Sequence, residues 1–172
     1  LPRGITVSGD GCVALWTEWI TFADDVGSVP VFQTVYRITD RCRNIVGKEV
    51  YRNSSQRDPN SHMALSYDGR YAAIELYPDD LDGDNAVLRI DTTAANPQST
   101  ELRMPFPDLG STISFFHERW RGDLGLDISD DGNVIVATSE AFYVEPTFTD
   151  IWAWDVGGGT LTMISGPLGE GS

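Results

Sequence analysis

Aspartates carry the most conspicuous chemistry in this sequence. In DLDGDNAVLRID, residues 80–91, Asp80, Asp82 and Asp84 follow the one-three-five spacing of calcium loops, and Asp91 falls at position twelve. Calcium takes several hard oxygens from a flexible loop, which this segment offers. The match is partial. Gly83 comes two places early, Asn85 holds the sixth position, and a short Asp stands where a bidentate Glu is usual. The alternative is an acidic, solvated hairpin loop. A second set, Asp10, Asp68 and Asp131, stands two residues after a serine and directly before a glycine. A recurrent acid invites a catalytic role, but turn chemistry already explains this position, because the carboxylate accepts bonds from nearby backbone N–H groups.

The remaining candidates are sparse. His62 and His117 are the only histidines, and together they suggest a two-histidine metal site. FFHERWRG, residues 115–122, sets His117, Arg119, Trp120 and Arg121 among aromatics. Trp120 and Arg121 suit stacking on a sugar or clamping a carboxylate. The commoner use of Phe115, Phe116 and Trp120 is to plug a connection into the core. No Ser-His-Asp constellation stands out, and no G-x-S-x-G elbow occurs. Acidic pairs are plentiful, yet nothing singles out one for hydrolysis. Asn53-Ser54-Ser55 is a glycosylation sequon, a triplet that is frequent by chance.

The elements that position these residues repeat. ITVSGDGCVALW, MALSYDGRYAAIEL and LDISDDGNVIVATS align Ser8, Ser66 and Ser129, then Asp10, Asp68 and Asp131, then Gly11, Gly69 and Gly132. The serines lie 58 and then 63 residues apart, a period that marks a repeat architecture. Asp-Gly between β-rich runs signals a hairpin, and glycine takes the positive φ of the turn. Each hairpin is followed by two further strand-like runs. The third ends near an aspartate, as TVYRITD (34–40), AVLRID (86–91) and DIWAWD (150–155). The fourth is KEVYRN (48–53), TELRM (100–104) or TLTMIS (160–165). The expected fold is all-β, with three four-stranded antiparallel repeats over approximately 1–56, 57–107 and 108–172. One stretch, 111–122, has room for a short helical turn. Trp152 and Trp154 are expected to pack against opposite faces of their strand.

Composition bounds the partners. The chain of 172 residues is long enough for a core, with 41% hydrophobic residues. It carries 26 acidic and 12 basic residues, for a net charge of −14. Such a surface disfavours nucleic acid and anionic membrane, and no apolar run reaches the ~18 residues of a membrane helix. It suits a self-repelling soluble surface, or more sharply a calcium-rich or salty setting. Leu1 is not an initiator methionine, so a processed product or a piece of a longer chain is expected.

Four-stranded repeats with an Asp-Gly turn point to β-propeller blades. LSYDGRYAAIEL and ISDDGNVIVATS, with strands like DIWAWD, resemble the WD40-like PD40 repeats of TolB-type propellers. The resemblance covers nearly the whole chain. All three units match the first half of that pattern. The third also matches the second half, whereas the first two lack its leading aspartate. In such blades the Asp-Gly turns share one face of the propeller. The long segments 20–31, 53–62, 76–85, 105–124 and 140–149 share the other, the expected binding face. Cys12 and Cys42 then fall at the same end of neighbouring strands, which suits a disulfide and an oxidising compartment; two buried thiols are the alternative.

Propellers close with four to eight blades, and three are read here. Each terminal blade is expected to expose an apolar face, a site for another protein chain or for copies of itself, as an oligomer or a filament. The first expectation is a non-catalytic module, secreted or periplasmic, and the resemblance implies protein–protein interaction through the ring. The alternatives are a carbohydrate- or calcium-binding module using the long-loop face, and an accessory propeller part of a hydrolase.

Overall fold

The computed structural model describes residues 4–22, 31–53, 62–76, 86–103, 118–120, 125–141 and 149–164. Among these residues every regular element is a strand. The first sheet is built from β1 (Ile5–Val7), β2 (Val13–Phe22), β3 (Val31–Asp40) and β4 (Ile45–Asn53), hydrogen-bonded in that order. The second holds β5 (Met63–Leu65), β6 (Tyr71–Leu76), β7 (Ala86–Asp91) and β8 (Ser99–Arg103). The third holds β10 (Leu126–Ile128), β11 (Val134–Ala141), β12 (Thr149–Asp155) and β13 (Thr160–Met163), with β9 (Glu118–Trp120) also on β11. All pairings are antiparallel, and all but that of β9 with β11 join consecutive strands. The three sheets are consecutive blades of a β-propeller, with the short strands β1, β5 and β10 lying side by side at the inner edge.

The registers superpose. Val13, Tyr71 and Val134 open the second strands and pair with Asp40, Asp91 and Asp155 at the ends of the third. Equivalent positions in the three blades therefore follow directly: Leu15, Ala73 and Val136, or Ile38, Arg89 and Ala153.

The core lies between blades. One buried cluster joins Val13, Leu15, Tyr36 and Ile38 of the first blade to Ala72, Ile74, Leu88 and Ile90 of the second. The other joins Ala64, Ala73 and Val87 to Ile128, Ile135, Ala137 and Trp154 of the third. Successive side chains on a strand alternate between faces, so the second blade sends one set forward and one set back.

One expectation is met by a strand at the residues described, and one is corrected. Within 111–122, residues 118–120 form a strand, with Trp120 opposite Ser139 and Glu118 opposite Ala141. β10 ends its pairing at Ala137, and β9 supplies backbone partners to the rest of β11, which a helical turn would leave without them. Residues 111–117 and 121–122 lie outside the described residues. Trp152 and Trp154 share one face, because residues two apart on a strand point the same way. Trp154 is buried in the second cluster and Trp152 packs against it, both toward the second blade.

Candidate functional site

The Ser-x-Asp-Gly turns build one hydrogen-bond network three times. The Ser8, Ser66 and Ser129 hydroxyls donate to Asp10, Asp68 and Asp131 Oδ1, at 2.6, 2.9 and 2.7 Å. The same hydroxyl oxygens accept from the N–H groups of Val13, Tyr71 and Val134, each at 2.9 Å. Each carboxylate also accepts from the second residue beyond it, the N–H of Cys12, Arg70 or Asn133. The N–H groups of Gly11, Gly69 and Gly132 close each turn on the serine carbonyls. These glycines have φ of +70°, +68° and +68°, values that side chains resist. The serine hydroxyl bonds, ahead of the backbone N–H bonds, hold the Asp10 and Asp131 carboxyls below their ordinary value. One oxygen of each aspartate, Oδ1, thus shapes its turn.

The aspartates ending the third strands repeat a second device. Asp40 Oδ1 accepts from the N–H groups of Cys42 and Arg43, Asp91 Oδ1 from Thr93, and Asp155 Oδ1 from Gly158. Burial pushes the Asp40 carboxyl upward, but the Arg43 and Cys42 N–H groups and the Arg43 guanidinium outweigh it and leave it lowered.

The turn glycines also seat the blades. A Cβ on Gly69 would lie 2.4 Å from Val13 Cβ, and one on Gly132 would lie 2.3 Å from Tyr71 Cγ. Each second or third blade therefore presses its turn onto the first residue of the preceding blade's second strand. In the opposite sense, Gly9 of the first blade leaves room for the Tyr67 ring of the second, which a Cβ on Gly9 would meet at 2.3 Å. Backbone bonds join the turns as well: the Asp10 N–H donates to the Tyr67 carbonyl, and the Tyr67 N–H donates to Asp130 Oδ1, both at 3.0 Å. Arg89 donates to the Gly132 carbonyl while its guanidinium lies over the Tyr71 ring. Lys48 reaches the Thr92 and Ala94 carbonyls of the second blade.

This interface is made twice and left open on two faces. Val134 and Ile151 are 41% and 38% exposed, whereas Val13 and Tyr36, at the same register positions of the first blade, are 1% and 0% exposed. On the first blade, Ile5 and Val7 are 70% and 56% exposed, while the equivalent Ile128 is buried. The first blade's open face is less apolar than expected. Arg37 and Thr39 stand where the other blades carry Leu88 and Ile90, or Trp152 and Trp154. Arg37 pairs with Glu18, donates to the Gly47 carbonyl at 3.0 Å, and lies 3.9 Å from Glu49.

The middle blade alone carries a buried acid at one repeated position. The N–H groups of Thr17, Glu75 and Thr138 donate to the carbonyls of Gly4, His62 and Gly125. The flanking blades thus place Thr–Gly pairs where the middle one places Glu75 and His62. Glu75 is fully buried, and its Oε2 lies 2.9 Å from Nδ1 of the half-buried His62.

Cys12 and Cys42 form a disulfide with Cα atoms 5.5 Å apart, beside the hydrogen bond from the Arg41 N–H to the Cys12 carbonyl. Asp80, Asp82, Asp84, His117 and Arg121 lie outside the described residues. Arg119 and Trp120 are placed by their backbone in β9. The structure brings together His62 with Glu75, a pairing that sequence spacing did not suggest. Val134 was visible as the apolar residue resuming after the third turn. Its role as an open contact is visible only against its covered counterparts. Glu75 had one signal, an acid in an otherwise apolar YAAIEL.

No family model and no curated protein matches the sequence. Among solved structures, the apo isopeptidase AtxE2 is similar with a TM-score of 0.61 and 11% identity, over 94% of this chain and 28% of that one. TolB from Acinetobacter baumannii is similar with a TM-score of 0.48 and 11% identity, over 96% of this chain and 32% of that one. TolB from Agrobacterium tumefaciens follows with a TM-score of 0.35 and 16% identity, over 97% of this chain and 62% of that one. The chain thus spans less than a third of each of the first two. The likeness to the isopeptidase agrees with the blade architecture seen here.

Proposed function

We propose that this chain is a non-catalytic propeller module that works by protein–protein contact, with the open blade faces as its contact surfaces. The observation that carries this is the exposure of Val134 and Ile151 at positions that are covered in the first blade, where Val13 and Tyr36 stand. Apolar surface of this kind gains by leaving water. The Ser-x-Asp-Gly turns supply rigidity, since Asp10, Asp68 and Asp131 are each bound to the backbone and a serine. The Cys12–Cys42 disulfide supports a secreted or periplasmic setting, where such bonds persist. Covalent carbene footprinting tests the contact surfaces. In an extract of the cells that express the protein, Val134 and Ile151 should label less than in the purified chain at high dilution. Equal labelling overturns the proposal.

A second reading takes the chain as the propeller segment of a larger hydrolase. Similarity over 94% of this chain to part of an isopeptidase supports it. A domain with a catalytic nucleophile on the same polypeptide is the finding that would favour it. The calcium reading is carried by the spacing of Asp80, Asp82 and Asp84 alone. A melting temperature that falls on chelation and recovers with calcium supports it, and an unchanged one reduces the segment to a turn.

A further inference from the structure

We infer that the open face of the third blade takes a second copy of this chain, head to tail, seated as the second blade is seated on the first. This rests on the open faces being contact surfaces, and it names the occupant. The two internal junctions show what each half requires. The trailing half offers a residue at the start of the second strand, Val13 or Tyr71. The leading half offers a turn glycine that receives it, Gly69 or Gly132. This chain carries one unfilled example of each. Val134 matches Val13 in register and residue type, and it is exposed. Gly11 matches Gly69 in turn and φ, but a Cβ there would meet nothing nearer than Arg41 Nη2 at 3.7 Å. The backbone continues the match. The step that joins the Asp10 N–H to the Tyr67 carbonyl would join the Asp131 N–H to the Gly9 carbonyl of the second copy.

Side-chain size points the same way. Where the third blade's leading face carries the large Trp152 and Trp154, the facing blade is small, with Ala73 and Val87. The third blade's trailing face is small as well, with Val136 and Ala153 where the first blade has Leu15 and Ile38. The first blade's leading face is large, with Trp16 where the others have Ile74 and Ala137. Arg37 would enter this junction with its charge already paired to Glu18. Desolvating such a pair opposes burial even when the geometry is good, so the junction is weaker than the internal ones and reversible. Two such junctions place six blades in a ring, within the four to eight that close.

The test mixes isotopically light and heavy chains, each with benzoylphenylalanine in place of Val134, and irradiates them over a dilution series. The expected result is a light–heavy cross-link from position 134 to residues 9–12. It should be accompanied by a native mass rising from 18.9 kDa to twice that value. Val7→Asp, on an exposed residue of the leading face, should abolish both without changing the circular dichroism. Cross-links from 134 to 134 overturn the head-to-tail arrangement. Species larger than two chains overturn the closed pair. A single-chain mass with no light–heavy product at any concentration overturns the second copy as occupant. In that last case, footprinting protection in the extract would still leave the contact surfaces standing with another protein on them, and loss of both would remove that reading too.

Discussion

Gly69→Ala and Gly11→Ala change the same motif at almost the same φ, and they should differ in cost. Both force an L side chain into the left-handed region, which costs about 1–2 kcal/mol. Gly11 has space for the new methyl, its nearest neighbour lying 3.7 Å away at the end of a flexible arginine. At Gly69 the methyl would lie 2.4 Å from Val13 Cβ and 2.5 Å from Cγ2, far inside van der Waals contact. Val13 belongs to the buried cluster between the first two blades, so it cannot yield without opening that junction. Overpacking of this kind costs about 1–3 kcal/mol more. The expected losses are therefore about 1–2 kcal/mol for Gly11→Ala and about 2–5 kcal/mol for Gly69→Ala. Urea unfolding at high dilution reads both. With a slope of about 2–3 kcal/mol/M, the extra cost of about 1–3 kcal/mol should separate the two midpoints by roughly 0.3–1.5 M. Val13→Ala in the Gly69→Ala background removes Cγ2 at 2.5 Å and Cγ1 at 3.1 Å but keeps Cβ at 2.4 Å, so it should recover only part of the loss. Equal costs for the two glycine substitutions would refute the idea that the turn glycine is a docking surface between blades.

Three further outcomes follow from the same geometry. Replacing Cys12 and Cys42 by alanine should cost about 2–4 kcal/mol, the usual range for a loop of this length, read by urea unfolding with and without reductant. His62→Ala leaves the carboxylate of Glu75 buried without its imidazole and should cost about 1–3 kcal/mol. Glu75→Thr, the residue type of both flanking blades, should cost less, and the reverse order would contradict the assignment. The carboxyls of Asp10 and Asp131 sit below their ordinary 3.8. A carboxyl lowered on folding adds stability that is full above 3.8 and lost as pH falls through the lower folded value. Protonation elsewhere relieves the net charge of −14, so the effect is read as a difference. Ser129→Ala should lose more stability against the wild type near pH 6 than near pH 2, and a gap that stays constant would contradict the linkage.

Turn chemistry was legible because it is local. Ser, Asp and Gly within four residues determine their own hydrogen bonds, and those bonds fix the register of the hairpin. The aspartates ending the third strands were legible for the same reason. Packing between blades was not, because it joins residues some sixty apart and depends on which face of the pleat each occupies. Trp152 and Trp154 illustrate this: two residues apart, they share a face, and the second blade's small Ala73 and Val87 accommodate them. Arg37 shows the same limit. Its place in the first blade marks that face as more polar than the others only once the three registers are aligned. β9 was hidden because a three-residue strand carries almost no pattern, and its pairing partner lies twenty residues later. The His62–Glu75 pair joins adjacent strands across a turn, and only the register reveals it.

The central claim is that the third blade's open face is a contact surface. The most direct test is the native mass of the protein in an extract of the cells that express it, wild type against the pair Val134→Asp and Ile151→Asp. Both residues are exposed, so the folded blade should tolerate the change and the circular dichroism of the purified chain should be unaltered. The account predicts an assembly in the wild type that falls to a smaller mass in the variant. The same mass for both, with both folded, would contradict it.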